Sequence, residues 1–332
     1  MSWQIGPFTR DNQVLLSADE SLPWAAKDLF NPGAVVRAGR VHLLVRGEDN
    51  VGRFAGTSRI GLATSDDGAH FDVRATPVIE PSLPEESEGG CEDPRVVEAP
   101  DGSYVCTYTG FEGTRPRLLV ATSPDLVTWT KHGRAFVGTP YADLTCKSGA
   151  IVTEVHDGRL VACRINDTYW MYFGEGTMYA ATSDDLVRWT PVDFDATADR
   201  TLSFEDGRWS IHWQPGVRAA RPVLMPRTGR FDARLVEPGP PAIRTDEGIV
   251  LLYNGADATR IYAPGQALFD ANDPTACIAR DTEPFLRPAL AVETTGQVDN
   301  VCFAEGLVLL HNEWRLYYGM ADSRIGCATA PA

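Results

Sequence analysis

One strand-turn-strand pattern recurs along the chain at a nearly constant interval, and this recurrence limits the possible folds more than any other feature. Its turn reads ATSDDGAHF from Ala63, ATSPDLVTW from Ala121 and ATSDDLVRW from Ala181, so successive copies start 58 and 60 residues apart. In each copy an apolar strand leads into a Ser-Asp turn, and an aromatic residue follows that can pack back on the strand. A fixed period of this length is typical of repeat folds, whereas a β-sandwich would not explain it.

A second pattern, a β-rich run that ends in a small polar turn, occurs five times. The copies span residues 43–49, 105–111, 170–176, 250–257 and 315–322. Another strand-like run precedes each copy, and these runs begin at Asn31, Glu92, Lys147, Glu237 and Ala304. Helical periodicity of useful length is absent. The sequence therefore predicts an all-β protein, a five-bladed β-propeller that forms one domain over residues 1–332.

In a propeller the first strand of every blade starts near the central axis, so the residues at these starts line one mouth of the channel. The pattern predicts that this mouth gathers Asn31, Glu92, Asp93, Lys147, Glu237 and Glu305. Convergent polar groups in a concave pocket are typical of a small-molecule site.

Charge and composition narrow the class of partner. The net charge of −15 at pH 7 disfavours nucleic acid and an anionic membrane surface. The N-terminal MSWQIGPFTRDNQ lacks the basic and apolar parts of a signal peptide, and no apolar run has the length of a transmembrane helix. We therefore expect a cytoplasmic protein, and the sequence leaves homo-oligomerisation open. The seven cysteines form no C-x-x-C pair and are predicted to be mostly buried free thiols.

The segment Gly-Gly-Cys-Glu-Asp-Pro-Arg at 89–95 is the sharpest candidate for chemistry. Two adjacent acids, Glu92 and Asp93, and the basic Arg95 stand where a first strand begins. Because adjacent strand residues point to opposite faces, we expect one acid to face the ligand and the other to be structural. A turn in which these acids cap backbone amides is the alternative.

Two further groups of residues suit sugar binding. Asn31 and Arg46 lie at the two ends of the first hairpin and offer the donors and acceptors that match sugar hydroxyls, although an Arg in a surface ion pair would look the same. Aromatic residues at strand ends, Tyr253 among them, either stack on sugar rings or pack between blades.

Other chemistries find no support in the sequence. The six histidines show no H-E-x-x-H or paired spacing, and the P-loop, G-x-G-x-x-G and G-x-S-x-G motifs are absent. The sequence thus predicts no metal and no cofactor. It favours a carboxylate-rich pocket for general acid–base chemistry on a polar substrate.

The run from Asn31 to Arg46, the CEDPR segment, the three ATS turns and the C-terminal YYGMADSRIG together resemble glycoside hydrolase family 130. The resemblance extends in the right order from about Asn31 to Ala328. It implies a five-bladed propeller that acts on β-mannosides with inversion, either as a hydrolase that attacks with water or as a phosphorylase that attacks with inorganic phosphate. The expected partner is an oligosaccharide, and phosphate would be a co-substrate rather than a cofactor.

The resemblance also assigns roles to individual residues. Asp93, the acid of the family's E-D-P-R segment, inherits the role of general acid, and in some members its proton reaches the glycosidic oxygen through a substrate hydroxyl. Asn31 and Arg46 match residues that hold the mannose at subsite −1, and Asp322 matches an acid near the axis. The expected substrate-binding residues are Asn31, Arg46, Arg95, Lys147, Tyr253 and Asp322.

The choice of nucleophile rests on charge, because phosphate needs basic residues around it and water needs a carboxylate base. Similar phosphorylases carry an Arg after the second strand of the second blade, where this chain has Gly113 beside Glu112. We therefore predict hydrolysis with Asp93 as the acid and Glu175 as the base, although Glu175 also suits a solvated turn.

Two alternatives stay open. In a phosphorylase that releases mannose 1-phosphate, Arg115 and Lys131, together with Lys147, would hold the phosphate. In a non-catalytic sugar-binding propeller, Asp93 would contribute no turnover.

Overall fold

The chain folds almost entirely into β-strands. The structure is a computed structural model that describes residues 3–51, 56–193, 201–205, 208–212 and 220–332. Within these residues the only α-helix is the single turn α1 (Ala291–Thr294), and two 3-10 turns span Pro23–Ala25 and Pro84–Glu86. None of the helices in the described part of the chain is long and apolar enough to cross a membrane. The predicted all-β class is confirmed.

Most strands fall into five groups of antiparallel strands that follow one another along the chain, and each group is called a sheet below. A few parallel pairings hydrogen-bond the first four sheets to one another. Two short strands come first, β1 (Thr9–Arg10) and β2 (Leu16–Ser17). The first sheet contains β3 (Asp28–Arg37), β4 (Arg40–Glu48), β5 (Ser58–Ser65) and β6 (Asp72–Val73). The second contains β7 (Gly90–Glu98), β8 (Tyr104–Phe111), β9 (Pro116–Ser123) and β10 (Thr130–Arg134).

The third sheet is less regular than the first two. Its strands are β11 (Ala150–His156), β12 (Arg159–Ala162), β13 (Arg164–Ile165), β14 (Thr168–Phe173), β15 (Met178–Ser183) and β16 (Thr190–Pro191). A separate hairpin follows, formed by β17 (Thr201–Glu205) and β18 (Arg208–His212). The short β19 (Pro222–Leu224) then pairs with β15.

The last two sheets complete the series. The fourth contains β20 (Leu235–Pro238), β21 (Ala242–Thr245), β22 (Gly248–Ala256), β23 (Tyr262–Phe269) and β24 (Cys277–Arg280). The fifth contains β25 (Cys302–Leu310), β26 (Glu313–Met320) and β27 (Arg324–Pro331). Both β1 and β2 pair with β27, so the N-terminal segment completes the C-terminal sheet.

Each sheet packs against the next, and the fifth packs against the first. Five clusters of buried apolar side chains lie one at each of these junctions. The first strands approach closely, since a Cβ on Gly33 would lie 2.4 Å from the Pro94 carbonyl oxygen and one on Gly306 would lie 2.6 Å from that of Pro32. These close approaches bring the starts of the first strands to one place.

The repeated ATS turn has the same hydrogen bonds in all three copies. In the second copy the Ser123 hydroxyl oxygen accepts the Leu126 N–H at 2.8 Å, and the Asp125 carboxylate accepts the next two N–H groups. The Trp129 indole donates to the Leu126 carbonyl at 3.1 Å. The serine and aspartate bonds recur around Ser65 and Ser183. The recurrence in sequence therefore reflects one turn geometry.

The cysteines are reduced. Cys277 is exposed and the other six are buried, so no disulfide contributes to the fold.

Candidate active site

A cavity of about 120 Å³ lies where the first strands of the sheets begin. Its lining is formed by Asn31, Arg46, Asp93, Lys147, Glu175, Glu237, Tyr262, Val298, Val301, Phe303 and Asp322. Three larger hollows, of about 490, 520 and 300 Å³, are lined by surface turns and by the N-terminal segment. We take the smaller cavity, called the axial pocket below, as the candidate active site because buried cations and carboxylates converge in it.

Asp93 reaches the pocket because β7 is bulged at this point. The pairing of β7 with β8 shifts register between Glu92 and Arg95, and Asp93 has a left-handed φ of 48°. Both acids consequently contact one guanidinium: Arg46 Nη1 lies 3.0 Å from Asp93 Oδ1 and Arg46 Nη2 lies 3.1 Å from Glu92 Oε1. Asp93 lines the pocket and Glu92 does not. The bulge breaks the alternation of a regular strand and so lets both carboxylates reach Arg46.

The same backbone conformation occurs at the start of two other first strands. Asn31, with a φ of 46°, lies in a register shift between Phe30 and Pro32, and Ser148 has a φ of 62°. The Asn31 side-chain amide donates to Asp93 Oδ1 at 3.0 Å. The Ser148 hydroxyl donates to the Glu237 carboxylate. Left-handed non-glycine residues cluster at functional sites, where the surrounding structure holds them in place.

Lys147 lies between three carboxylates. Its Nζ is 3.4 Å from Glu175 Oε1, 3.5 Å from Glu237 Oε1 and 3.9 Å from Asp93 Oδ2. Burial by itself would lower the pKa of Lys147, but these carboxylates raise it well above the ordinary value. The pocket therefore contains a permanent ammonium charge.

The acids of the pocket differ in protonation. Burial opposes ionisation of Asp93, yet the charges of Arg46 and Lys147 and the hydrogen bond from Asn31 hold its pKa well below the ordinary value. Burial and the charge of Asp93 raise the pKa of Glu92 to about 7, although Arg46 opposes this shift.

Two other acids of the lining are shifted upward. Burial raises the pKa of Asp322 to about 7 against the charges of Arg46 and Lys147. Burial likewise raises the pKa of Glu237, and Lys147 again opposes the shift. The pocket thus combines an ionised Asp93 with neighbouring acids whose pKa values are raised.

Arg95 does not line the pocket. Its guanidinium is buried and donates at 2.8 Å to the carbonyls of both Pro238 and Gly239, while Nη1 lies 3.2 Å from Glu305 Oε1. Burial raises the pKa of Glu305 well above the ordinary value. Arg95, expected to bind substrate, thus joins the second sheet to the fourth and fifth.

Three other predicted residues lie outside the pocket. Lys131 contacts both carboxylate oxygens of Glu86 at 2.8 Å. Arg115 is largely exposed and pairs with Glu112 at 3.1 Å. Tyr253 is fully buried in the apolar cluster between the third and fourth sheets. Arg115 and Lys131, expected to bind phosphate, and Tyr253, expected to bind sugar, therefore do not line this pocket.

Seven residues named from the sequence line the pocket, and one wall of the pocket was missed. The seven residues are Asn31, Arg46, Asp93, Lys147, Glu175, Glu237 and Asp322. The missed wall is apolar and consists of Tyr262, Val298, Val301 and Phe303. Phe303 could have been found from its place at the start of a first strand, but Val298 lies in a loop without a pattern.

A metal centre is not built into this region. Across the described ranges, no group of three or more His, Cys, Asp and Glu side chains is arranged to hold a metal ion.

Comparison with protein families gives a match over nearly the whole chain. A family model described as beta-1,4-mannooligosaccharide phosphorylase matches residues 16–332. A 1,2-beta-oligomannan phosphorylase from Thermoanaerobacter sp. (strain X514) is 31% identical, over 96% of this chain and 94% of the relative. A beta-1,2-mannobiose phosphorylase from the same organism is 28% identical, over 96% of this chain and 94% of its own length. The names of these curated relatives support the phosphorylase alternative better than the predicted hydrolysis.

Solved structures add similar folds at higher identity. A glycosyl hydrolase from Bacteroides ovatus is 43% identical, with a TM-score of 0.88 over 99% of this chain and 96% of that chain. Another structure is described with the words "The GH130 family of mannoside phosphorylases contains glycoside hydrolases that target beta-1,2 mannosidic linkages in Candida mannan". It is 42% identical, with a TM-score of 0.88 over 100% of this chain and 97% of that chain.

Proposed function

The chain belongs to glycoside hydrolase family 130, and from this premise we propose that it cleaves β-1,2-linked mannosides with Asp93 as the general acid. One observation carries the proposal: Asp93 is the carboxylate on which Arg46, Asn31 and Lys147 converge. The linkage rests on the names of the relatives at 31% and 42% identity.

Asp93 has to gain a proton before it can donate one, because Arg46 and Lys147 keep it ionised in the empty pocket. Glu92 and Asp322, whose pKa values are both about 7, hold protons beside it at neutral pH. Acids with separated pKa values in one site are typical of general acid–base catalysis. Binding of a neutral sugar next to Asp93 would further favour its protonated form, since it removes water from the carboxylate.

We propose that water is the nucleophile. Among the residues that line the described pocket, four carboxylates face two cations, and both cations already contact several carboxylates. A phosphate dianion would have to compete with these carboxylates for the two cations, whereas water needs only a carboxylate base. Glu175 is the base we propose, and Glu237, which contacts the same ammonium, is the second candidate.

The proposed inversion requires the acid and the base to lie close to the upper limit that their shared contact with Lys147 allows. Asp93 and Glu175 contact the same Lys147 Nζ at 3.9 and 3.4 Å, so the contacting oxygens lie at most about 7 Å apart. Inverting glycosidases keep their two carboxylates roughly 6.5–9.5 Å apart to admit a water molecule.

Phosphorolysis is the second candidate, and the names of the curated relatives favour it. In this case Lys147 and Arg46 would have to hold the phosphate, because Lys131 and Arg115 face other partners. Phosphate would then displace a carboxylate such as Glu175 from Lys147, and no base would be required.

We also propose that the five sheets are the blades of the predicted five-bladed propeller. Three observations support this arrangement: each sheet packs on the next, the fifth packs on the first, and an apolar cluster fills each junction. Strands β1 and β2 then close the ring by completing the last blade.

Incubation with β-1,2-mannobiose, with and without inorganic phosphate, tests the proposal. Hydrolysis predicts mannose as the product at a rate that does not depend on phosphate, and α-mannose 1-phosphate would establish phosphorolysis instead. Glu175→Gln is the informative variant, since a hydrolase should lose roughly 10²- to 10⁴-fold in kcat and a phosphorylase should not. Glu112→Gln, at the surface, is the matched control. Sugar binding without any product would indicate the non-catalytic alternative.

A further inference from the structure

Five glycines recur in the β-rich run of each repeat, at or just after the end of a strand, and each leaves space for a different neighbour. A Cβ on Gly47, Gly110, Gly174, Gly255 or Gly319 would lie 2.2 to 2.7 Å from a neighbouring atom. In the first four repeats these neighbours are Trp24, Leu119, Thr177 and Asp232. Only Gly319 faces a residue of the axial pocket.

The neighbour of Gly319 is Asn31. A Cβ at this position would lie 2.2 Å from Asn31 Oδ1, and the second nearest atom is the Asn31 side-chain carbon at 3.4 Å. The orientation of the amide is fixed by chemistry: the Asp93 carboxylate accepts, so Nδ2 points to Asp93 and Oδ1 points to Gly319. Asn31 Oδ1 is buried and has no hydrogen-bond partner among the described residues, so the Cα–H of Gly319 is what faces it.

We infer that Gly319 is a positioning residue, whose bare Cα lets the Asn31 amide hold the Asp93 carboxylate. The inference rests on the proposed role of Asp93. The backbone conformation at position 319 is one that alanine can adopt, because Gly319 is not among the left-handed glycines and pairs regularly with Phe303 and Ile325. Its methyl group would instead force the amide to retreat by about 1 Å, since contacts below 3.0 Å essentially do not occur. A shift of ~1 Å at a catalytic group costs up to about 100-fold in rate.

Gly319→Ala is the direct test, with kcat, KM and the pH profile measured on β-1,2-mannobiose. We expect kcat to fall roughly 10- to 100-fold with KM little changed. The lost hydrogen bond stabilised ionised Asp93, so the pKa of Asp93 should rise, and the alkaline limb of kcat should move to higher pH. Unchanged kinetics would overturn the inference.

Gly255→Ala is the matched control. Its Cβ would lie 2.7 Å from Asp232 Cβ and 2.9 Å from Phe231 Cε2, a comparable clash outside the pocket. This variant should lose thermal stability as Gly319→Ala does, while its kcat and pH profile stay within about twofold of wild type. An equal loss of kcat in both variants would mean that packing, and not Asn31, carries the effect.

A double-mutant cycle separates action through Asn31 from any other route. In an Asn31→Ala background the amide is gone, so Gly319→Ala should cause no further loss of kcat. A loss of the same size in both backgrounds would contradict the inference. Crystal structures of wild type and Gly319→Ala provide a readout that needs no activity: the Asn31 Nδ2–Asp93 Oδ1 distance should exceed 3.5 Å in the variant. An unchanged distance would reject the positioning role, and inactivity of the wild type would reject only the proposed function.

Discussion

The axial pocket and the periphery of the sheets both contain buried carboxylates and cations, but these groups serve different purposes in the two regions. Three sheets each carry a buried cluster of a tyrosine, a carboxylate and a cation, which we call clasps. The clasps are Tyr108–Glu86–Lys131, Tyr253–Asp232–Arg280 and Tyr318–Glu293–Arg10. In each clasp the tyrosine comes from an inner strand of its sheet, the carboxylate from the segment before that sheet begins, and the cation from an outer strand.

In the clasps, the carboxylates have many partners. Glu86 accepts N–H groups of Ser82 and Leu83 at 2.7 and 2.8 Å and the Tyr108 hydroxyl at 2.8 Å, besides the Lys131 ammonium. Glu293 repeats this pattern with two N–H groups and a tyrosine. Such satisfied networks hold one conformation, so we interpret the clasps as structural.

In the axial pocket, by contrast, carboxylates outnumber cations and one buried polar atom has no hydrogen bond. This atom is Asn31 Oδ1, which has no partner in the described part of the chain. Asn31, Asp93 and Asp322 also have left-handed backbones. The comparison indicates that burial and charge alone do not mark the active site, whereas incomplete satisfaction together with strained backbone does.

The strongest way to break this comparison is to neutralise one aspartate in each region. Asp93→Asn should reduce kcat by roughly 10²- to 10⁴-fold with little loss of stability, because Arg46 keeps Glu48 and Glu92 as partners. Asp232→Asn should lower the free energy of unfolding by about 3 kcal/mol, since it leaves Arg227 and Arg280 without their carboxylate.

Enzyme assays combined with urea denaturation of both variants provide the measurement. Asp232→Asn should retain near-normal kcat at a temperature where it is folded. A stable but inactive Asp232→Asn, or an unstable but active Asp93→Asn, would reverse the assignment of the two regions.

A smaller effect, opposite in sign between the regions, is expected in the pH dependence of stability. Burial opposes ionisation of Glu86, but Lys131 and two backbone N–H groups lower its pKa, so Glu86 contributes stability at neutral pH that is lost as the pH falls through this lowered pKa. Burial raises the pKa of Asp322 to about 7, so the folded state holds its proton between about pH 4 and 7 and loses stability as the pH rises through this window.

Urea denaturation from about pH 2.5 to 8 checks these signs, because the lowered pKa of Glu86 lies below its ordinary value of 4.5. Relative to wild type, Glu86→Gln should be most destabilised at neutral pH and least at acid pH. The free energy of unfolding of Asp322→Asn should increase relative to that of wild type as the pH rises from 4 to 8. Difference curves of the same slope would show that the two carboxyl groups have similar environments.

The sequence predicted the members of the pocket better than it predicted the roles of residues outside it. Asn31, Asp93 and Lys147 were found because they start successive repeats, and the repeat spacing encodes their position near one another. Lys131 and Tyr253 have equally suggestive neighbours in sequence, but their partners Glu86 and Asp232 lie 45 and 21 residues away, in loops without a pattern. No local periodicity reports such pairings.

Details of the backbone could not be predicted from the sequence either. The alternation rule placed Glu92 and Asp93 on opposite faces, and only the bulge in β7 brings both to Arg46. The apolar wall was missed for a different reason: Val298 and Val301 lie outside the recurring strand pairs, and Tyr262 starts a strand whose alternation looks like ordinary core.

The smallest expected effects come from removing single hydroxyl groups. Tyr253→Phe loses a hydrogen bond to Asp232 at 2.8 Å and one from Arg280 at 3.0 Å, so it should cost about 1.5 to 3 kcal/mol of stability and leave KM unchanged. Tyr262 lines the pocket, and Tyr262→Phe should raise KM by roughly threefold to tenfold, the range of one neutral hydrogen bond, with little loss of stability. Steady-state kinetics and thermal denaturation of the matched pair measure both quantities. A raised KM in Tyr253→Phe would support the sugar-binding role that the sequence predicted for Tyr253, because the residues of a clasp do not contact the substrate.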